Sequence, residues 1–178
     1  MRKRLFLLLL AFISLCQMYA VERTKLNFNG GWLLKMGDFQ GAELANYKDA
    51  GWKQITLPRA FNEKEAFKVS IEHLSDTIMW YRKHFHIQEV GDRKYFIEFE
   101  GVRFGADIWL NGKKVGYTEN GVMASGFDLT PYIIKGENVI AVRVDNSWNY
   151  RERTSGQRFQ WNDKNFNANY GGIPKNVF

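Results

Sequence analysis

Four groups of side chains have the types and spacing to do chemistry. The first is Glu98 and Glu100, two apart in Lys94-Tyr95-Phe96-Ile97-Glu98-Phe99-Glu100. Retaining glycosidases set two carboxyl groups about 5–5.5 Å apart across the scissile bond, and a strand brings residues i and i+2 near that distance. Both glutamates, however, project from one flat face with no cleft to hold a sugar, so a solvated sheet face is the better reading. The second group is His84 and His86, on one strand face, with His73 as the remaining histidine. A zinc site needs further ligands and an ordered surrounding shell; none stands at useful spacing, and no metal site is expected. The third is Gly112-Lys113-Lys114, a basic turn of the kind that more often solvates a sheet edge than grips a phosphate. The fourth is the stretch from Asp145 to Tyr170, aromatic and polar without periodicity. Trp148, Tyr150, Trp161 and Tyr170 offer planes for the C–H faces of a sugar ring. Asp145, Asn146, Asp163, Asn165, Asn167 and Asn169 offer donors and acceptors for its hydroxyls. The competing reading is that these aromatics, Trp148 and Phe159 first among them, pack the loop onto its own domain or a neighbour.

The elements that must position these residues read as strands. Tyr95, Ile97 and Phe99 alternate with Glu98 and Glu100, and Tyr81, Phe85 and Ile87 alternate with Arg82, His84 and His86. Ile140, Val142 and Val144 share a third such face. A period of two marks strands with a buried side. Asn111-Gly112 lies between Ile108-Trp109-Leu110 and Lys113 to Tyr117, the strongest short hairpin signal, since both central residues of a type I′ turn take positive φ. Gly30-Gly31 leads into a strand whose buried side is Trp32 and Leu34. Trp52 to Leu57 alternates and stops at Pro58, which belongs to a sheet margin. Ala42, Leu44 and Ala45 predict one or two helical turns. Short strands at this spacing predict an all-β sandwich.

Composition bounds the class. The 178 residues, 45% hydrophobic and 16% aromatic, suffice for one domain with a substantial core. Arg2, Lys3 and Arg4 precede the apolar run Leu5 to Ile13, the layout of a secretory signal peptide with cleavage expected after Ala20. The run is too short for a stable membrane span, which takes about 20 residues. Removing those three charges from the formal +6 leaves +3, weak footing for nucleic-acid binding. Cys16 is the alternative processing point, with lipidation of the cysteine, although Leu15 precedes it where Gly, Ala or Ser is preferred. No second cysteine exists to pair with it, so the domain at 21–178 must be held by its core alone. Export to a bacterial periplasm or cell surface is expected. The chain ends on Ile173 to Phe178, which reads as a strand with more protein to follow.

The ordered set of motifs resembles the N-terminal sugar-binding domain of glycoside hydrolase family 2, most like that of β-galactosidases. The matching pieces are Asn29-Gly30-Gly31-Trp32, Trp52 to Pro58, Trp80 to Phe85, Phe99 to Val102 and Ala106 to Gly116. Phe127 to Thr130, Gly136 to Asn138, Val142 to Asn146 and Tyr170-Gly171-Gly172-Ile173 continue the set. Pro174-Lys175 departs from the family's usual aromatic-Arg pair there. The resemblance implies a jelly-roll β-sandwich, galactose-binding-domain-like, behind a signal peptide helix at 1–20. It implies an immunoglobulin-like domain and a catalytic (β/α)₈ barrel following it, with the catalytic glutamates in that barrel and no catalytic residue in this chain. No cofactor is implied. The implied partners are a terminal β-linked sugar and those missing C-terminal domains. Near the closing Tyr-Gly-Ile segment the family presents an acidic or amide residue to the sugar. Asp163, Asn165 and Asn167 occupy that region, with Trp161 and Tyr170 beside them. A free-standing carbohydrate-binding module and a purely structural interaction domain are the alternatives.

Overall fold

The computed structural model describes residues 23–60, 76–121, 123–158 and 171–178. The signal peptide expected at 1–20 lies outside them. Among the described residues, ten strands pair antiparallel. They are β1 (Trp32–Met36), β2 (Lys53–Ile55), β3 (Arg59–Ala60), β4 (Ile78–Ile87), β5 (Phe96–Phe99), β6 (Gly105–Leu110), β7 (Lys113–Thr118), β8 (Ser125–Asp128), β9 (Gly136–Asp145) and β10 (Gly172–Ile173). One layer is a six-stranded sheet in the order β2-β1-β4-β9-β6-β7. The facing layer is assembled from the pairs β5–β8 and β3–β10. Residues 176–178 extend it along β5, with Glu98 and Phe178 exchanging hydrogen bonds of 3.0 Å. Arg103 and Gly172 exchange a pair of 2.8 Å. The chain is therefore an all-β sandwich, as its alternation predicts, and no helix among the described residues is long and apolar enough to cross a membrane.

The core between the layers takes one side of each predicted strand. Trp32, Tyr81, Ile97, Phe99, Ile140, Val142 and Val144 all lie in it, together with Ile108, Leu110 and Ile173. The hairpin turn forms as its sequence demands, with φ of 53° at Asn111 and 79° at Gly112. Asn111 does more than turn the chain. Its Nδ2 donates to the Tyr132 carbonyl and the Asn138 Oδ1, and its Oδ1 accepts from the Val139 amide. The edge position expected for the strand before Pro58 is that of β2, at the margin of the six-stranded sheet.

The outer face of that sheet departs from a simple solvated surface. Residues 38–52 lie across it as a strap, and Ala42 and Trp52 of the strap form a second apolar cluster with Trp80 and Ala141 of the sheet. Arg82 faces this side, as its alternation predicts, yet is fully buried. Its Nε donates to Asp49 at 2.7 Å and its Nη1 to the carbonyls of Ala42 and Leu44. The helical turns expected around Ala42 do not form. Successive tight turns replace them, closed by Ala42 to Phe39, Leu44 to Gly41 and Tyr47 to Leu44, and the guanidinium takes carbonyls that a helix would have used itself.

His84 fastens the same strap. Its Nε2 lies 2.9 Å from Asp49 and its Nδ1 2.7 Å from Glu137, a carboxylate on each ring nitrogen. Only the doubly protonated ring donates to both. Burial disfavours that charge, but the hydrogen bonds to Asp49 and Glu137 outweigh it and raise the His84 pKa. A raised folded pKa contributes stability that is complete below the ordinary histidine value and is lost as pH rises through the folded value. Urea unfolding between pH 5 and 9 is therefore expected to show stability falling through and above the usual histidine range, and His84→Gln to flatten that fall.

Gly172 is a second structural requirement. Its φ is +99°, and a Cβ there would sit 2.1 Å from the Tyr81 hydroxyl oxygen. Gly172→Ala combines left-handed strain with overpacking against a fully buried tyrosine, and is expected to cost roughly 2–4 kcal/mol of unfolding free energy. Chemical denaturation would read this as a lowered midpoint with an unchanged slope.

Candidate functional site

One end of the sandwich collects the residues that flank the aromatic, polar segment. Asp145 ends β9 opposite Ile78, the first residue of β4, and Gly105, the first of β6. The chain leaving Asp145 is tied down at once. Asp145 accepts from the Ser147 amide at 3.0 Å and hydroxyl at 2.6 Å, and the Trp148 amide donates to Asp76 at 2.9 Å. Tyr150 then lies over Gly105, where a Cβ would collide with its ring at 2.2 Å, and its hydroxyl donates to Glu119. Burial and the adjacent Glu119 carboxylate both push the Tyr150 pKa up, so the phenol stays protonated as a donor.

Arg153 completes the tether. Its Nη2 donates to Asp107 at 2.6 Å, its amide donates to Glu119 at 2.9 Å, and its guanidinium lies 4.6 Å from the centre of the Tyr117 ring. Burial opposes ionisation of Asp107, but hydrogen bonds from Arg153 and Lys114 prevail and hold its carboxyl below the usual range. A short ribbon follows, closed by the Arg151–Arg158 bridge and a 2.9 Å hydrogen bond from Glu152 to Gln157. On the far side of the segment Gly172 pairs with Ala60 and with Arg103. Both flanks thus attach at the same end of the sandwich.

The residues expected to meet sugar, Trp161, Asp163, Asn165, Asn167 and Tyr170, lie outside the described residues, as does Asn169. Of the others weighed for that role, Tyr150 is engaged in holding the loop to β6 and Asn146 is fully buried. Packing is thus the role that the structure gives these two. Trp148 is partly exposed. Glu98 and Glu100 stand on an outer face, as expected: Glu98 pairs with Lys25 at 2.9 Å and Arg23 at 3.2 Å, and Glu100 accepts from Asn176. The Gly112 turn lies at the opposite end of the sheet, beyond Leu110.

Arg103 is the residue that sequence reasoning missed. It sits beside Gly172, its guanidinium 5.2 Å from the Phe104 ring centre, with Gly121 closing over its side chain. Burial lowers its pKa, and its Nε has no hydrogen-bond partner among the described residues. A lone arginine in Val102-Arg103-Phe104-Gly105, between two buried apolar residues, was the available signal. Chemically this end offers a half-buried cationic donor beside Gly172.

Comparison with known proteins bears on these features. The family described as "Glycosyl hydrolase 2 galactose-binding domain-like" matches residues 53–175. A β-glucuronidase of Formosa agariphila is 38% identical over 168 residues, which cover 88% of this chain and 17% of that protein. A β-galactosidase of Bacteroides ovatus is 32% identical, covering 70% of this chain and 16% of that protein. A solved β-glucuronidase of glycoside hydrolase family 2 superposes with a TM-score of 0.73 at 34% identity, covering 89% of this chain and 18% of its own. The chain therefore spans less than a fifth of the length of each of these three proteins.

If the tether positions the segment, loosening it should show locally. Glu119→Ala removes the acceptor shared by Tyr150 and the Arg153 amide. Limited proteolysis is expected to cut within 146–158 several-fold faster in that variant, while cleavage elsewhere in the sandwich is unchanged.

Proposed function

This chain belongs to the glycosyl hydrolase 2 galactose-binding-like domains, and from that membership we propose that it is the carbohydrate-binding domain of an exported family 2 glycosidase. The parent reaction is retaining hydrolysis of a terminal β-glycoside by a barrel outside this chain. The domain's share is to pack against that barrel and to complete one wall of the sugar subsite with Trp161, Asp163, Asn165, Asn167 and Tyr170. The observation that supports this most directly is the attachment of both flanks of that segment, through Tyr150 and Arg153 on one side and Gly172 on the other, at a single end of the sandwich.

Two sugars compete. The motif order favours a β-galactoside. The half-buried Arg103 favours a β-glucuronide, whose carboxylate complements a guanidinium, and relatives bearing each name support each reading. Residues 1–20 serve as the signal peptide in this reading, and the protein resides in the periplasm or at the cell surface.

The 178-residue chain is expected to give no turnover of nitrophenyl β-glucuronide or β-galactoside; turnover abolished by Glu98→Gln would overturn the division of roles. Mass spectrometry of the exported chain is expected to find a mature terminus at Val21. A diacylglyceryl-modified terminus at Cys16 would instead establish lipid anchoring.

A further inference from the structure

A depression of about 500 Å³ lies on the outer face of the six-stranded sheet, where the strap meets β4, β6 and β9. Its volume falls within the ~300–1,000 Å³ typical of small-molecule sites. It is built wholly from described residues and does not use the segment before Tyr170. Its walls include Asp38, Gln40 and Glu43 from the strap, and Trp80, Trp109 and Arg143 from the sheet. The two indoles stack, 5.3 Å between centres and 27° between planes. Trp80 is only 3% exposed and forms the support; Trp109 is half-buried and borders the opening.

The polar side is fixed with equal care. Arg143 grips Asp38 in a fork, Nε to Oδ1 at 2.9 Å and Nη2 to Oδ2 at 2.7 Å. Trp80 Nε1 donates to the same Oδ1 at 3.1 Å. The Asp38 side chain is still 50% exposed. The Phe39 amide is a further donor to it, and the half-exposed carboxylate still meets solvent at the opening. The arginine hydrogen bond is the largest influence holding the Asp38 carboxyl below its usual range, which keeps it an acceptor at neutral pH.

We propose that this depression is a second saccharide site that binds a neutral pyranose, its C–H face against Trp109 and its vicinal hydroxyls on the Asp38–Arg143 fork. An adjacent acceptor and donor held rigid beside an indole match a sugar that carries both hydroxyls and an apolar ring face. An anionic ligand would meet Asp38 and Glu43, and an apolar partner would bury the half-exposed fork without replacing its water.

The six tryptophans give a direct readout, because each indole N–H is a separate peak in a ¹⁵N correlation spectrum once single Trp→Phe variants assign it. The full chain would be titrated with methyl β-D-glucopyranoside, methyl β-D-galactopyranoside and cellobiose into the tens of millimolar, with methyl β-D-glucuronide as the anionic control. Saturable shifts of the Trp80 and Trp109 peaks with at least one neutral sugar are expected. Gln40→Trp, at an exposed position, should fill the depression without touching the core and weaken binding at least about tenfold; Trp109→Ala should do the same, and Trp161→Ala should not. The proposal is overturned if no neutral sugar gives saturable shifts, if the control binds more tightly, if Gln40→Trp binds normally, or if only the Trp161 peak responds. That last outcome would leave the reading of the 159–170 segment standing.

Discussion

The ladder between β4 and β9 is the constraint on which the remaining structure depends. It runs ten residues in unbroken antiparallel register from Ile78 opposite Asp145 to Ile87 opposite Gly136. These two strands occupy the centre of the six-stranded sheet, and neither is left with a solvated face along its middle. Met79, Tyr81, Val142 and Val144 point into the sandwich, while Trp80, Arg82 and Ala141 point the other way and are buried as well. An antiparallel sheet commonly keeps one wet side. Here the second side acquires its own small core, and a cover of chain must be found for it.

That cover is the strap at 38–52, and the chemistry beneath it explains its irregular path. A buried guanidinium without partners is very costly, whereas a fully partnered one is tolerated. Arg82 places its Nε on Asp49 and its Nη1 on two strap carbonyls, with only Nη2 left without a partner among the described residues, so the strap is shaped by these acceptors as well as by the apolar residues it covers. The Asp38–Arg143 fork and the His84 pair pin its two flanks. The depression beside Trp109 lies where this strap meets β4, β6 and β9.

The sandwich end presents a different balance. The described part of the loop beyond β9, residues 146–158, is held by directional contacts such as those of Tyr150 and Arg153. Tyr150 and Arg153 lock its beginning to the sheet, and Gly172 returns it to the core beside Tyr81. In the proposed role the domain orders one surface of a protein several times its length.

Local pattern alone determined much of this protein. The alternation in Tyr81-Phe85-Ile87, Ile97-Phe99 and Ile140-Val142-Val144 assigned the inward faces correctly, and Asn111-Gly112 assigned the hairpin, because a period of two and a positive φ are properties of neighbouring residues. The motif order also identified the family. Only tertiary structure decided which outward faces are truly outside. Arg82 and His84 share one face by sequence, yet the strap buries the first and leaves the second partly exposed. β8, four residues with Phe127 as the one large apolar side chain, is a strand because β5 offers it a partner. Tyr150, a candidate sugar platform by type, became a tether because Gly105 leaves room above β6 for its ring. In each case the deciding atom lies tens of residues away, and no local periodicity carries that information.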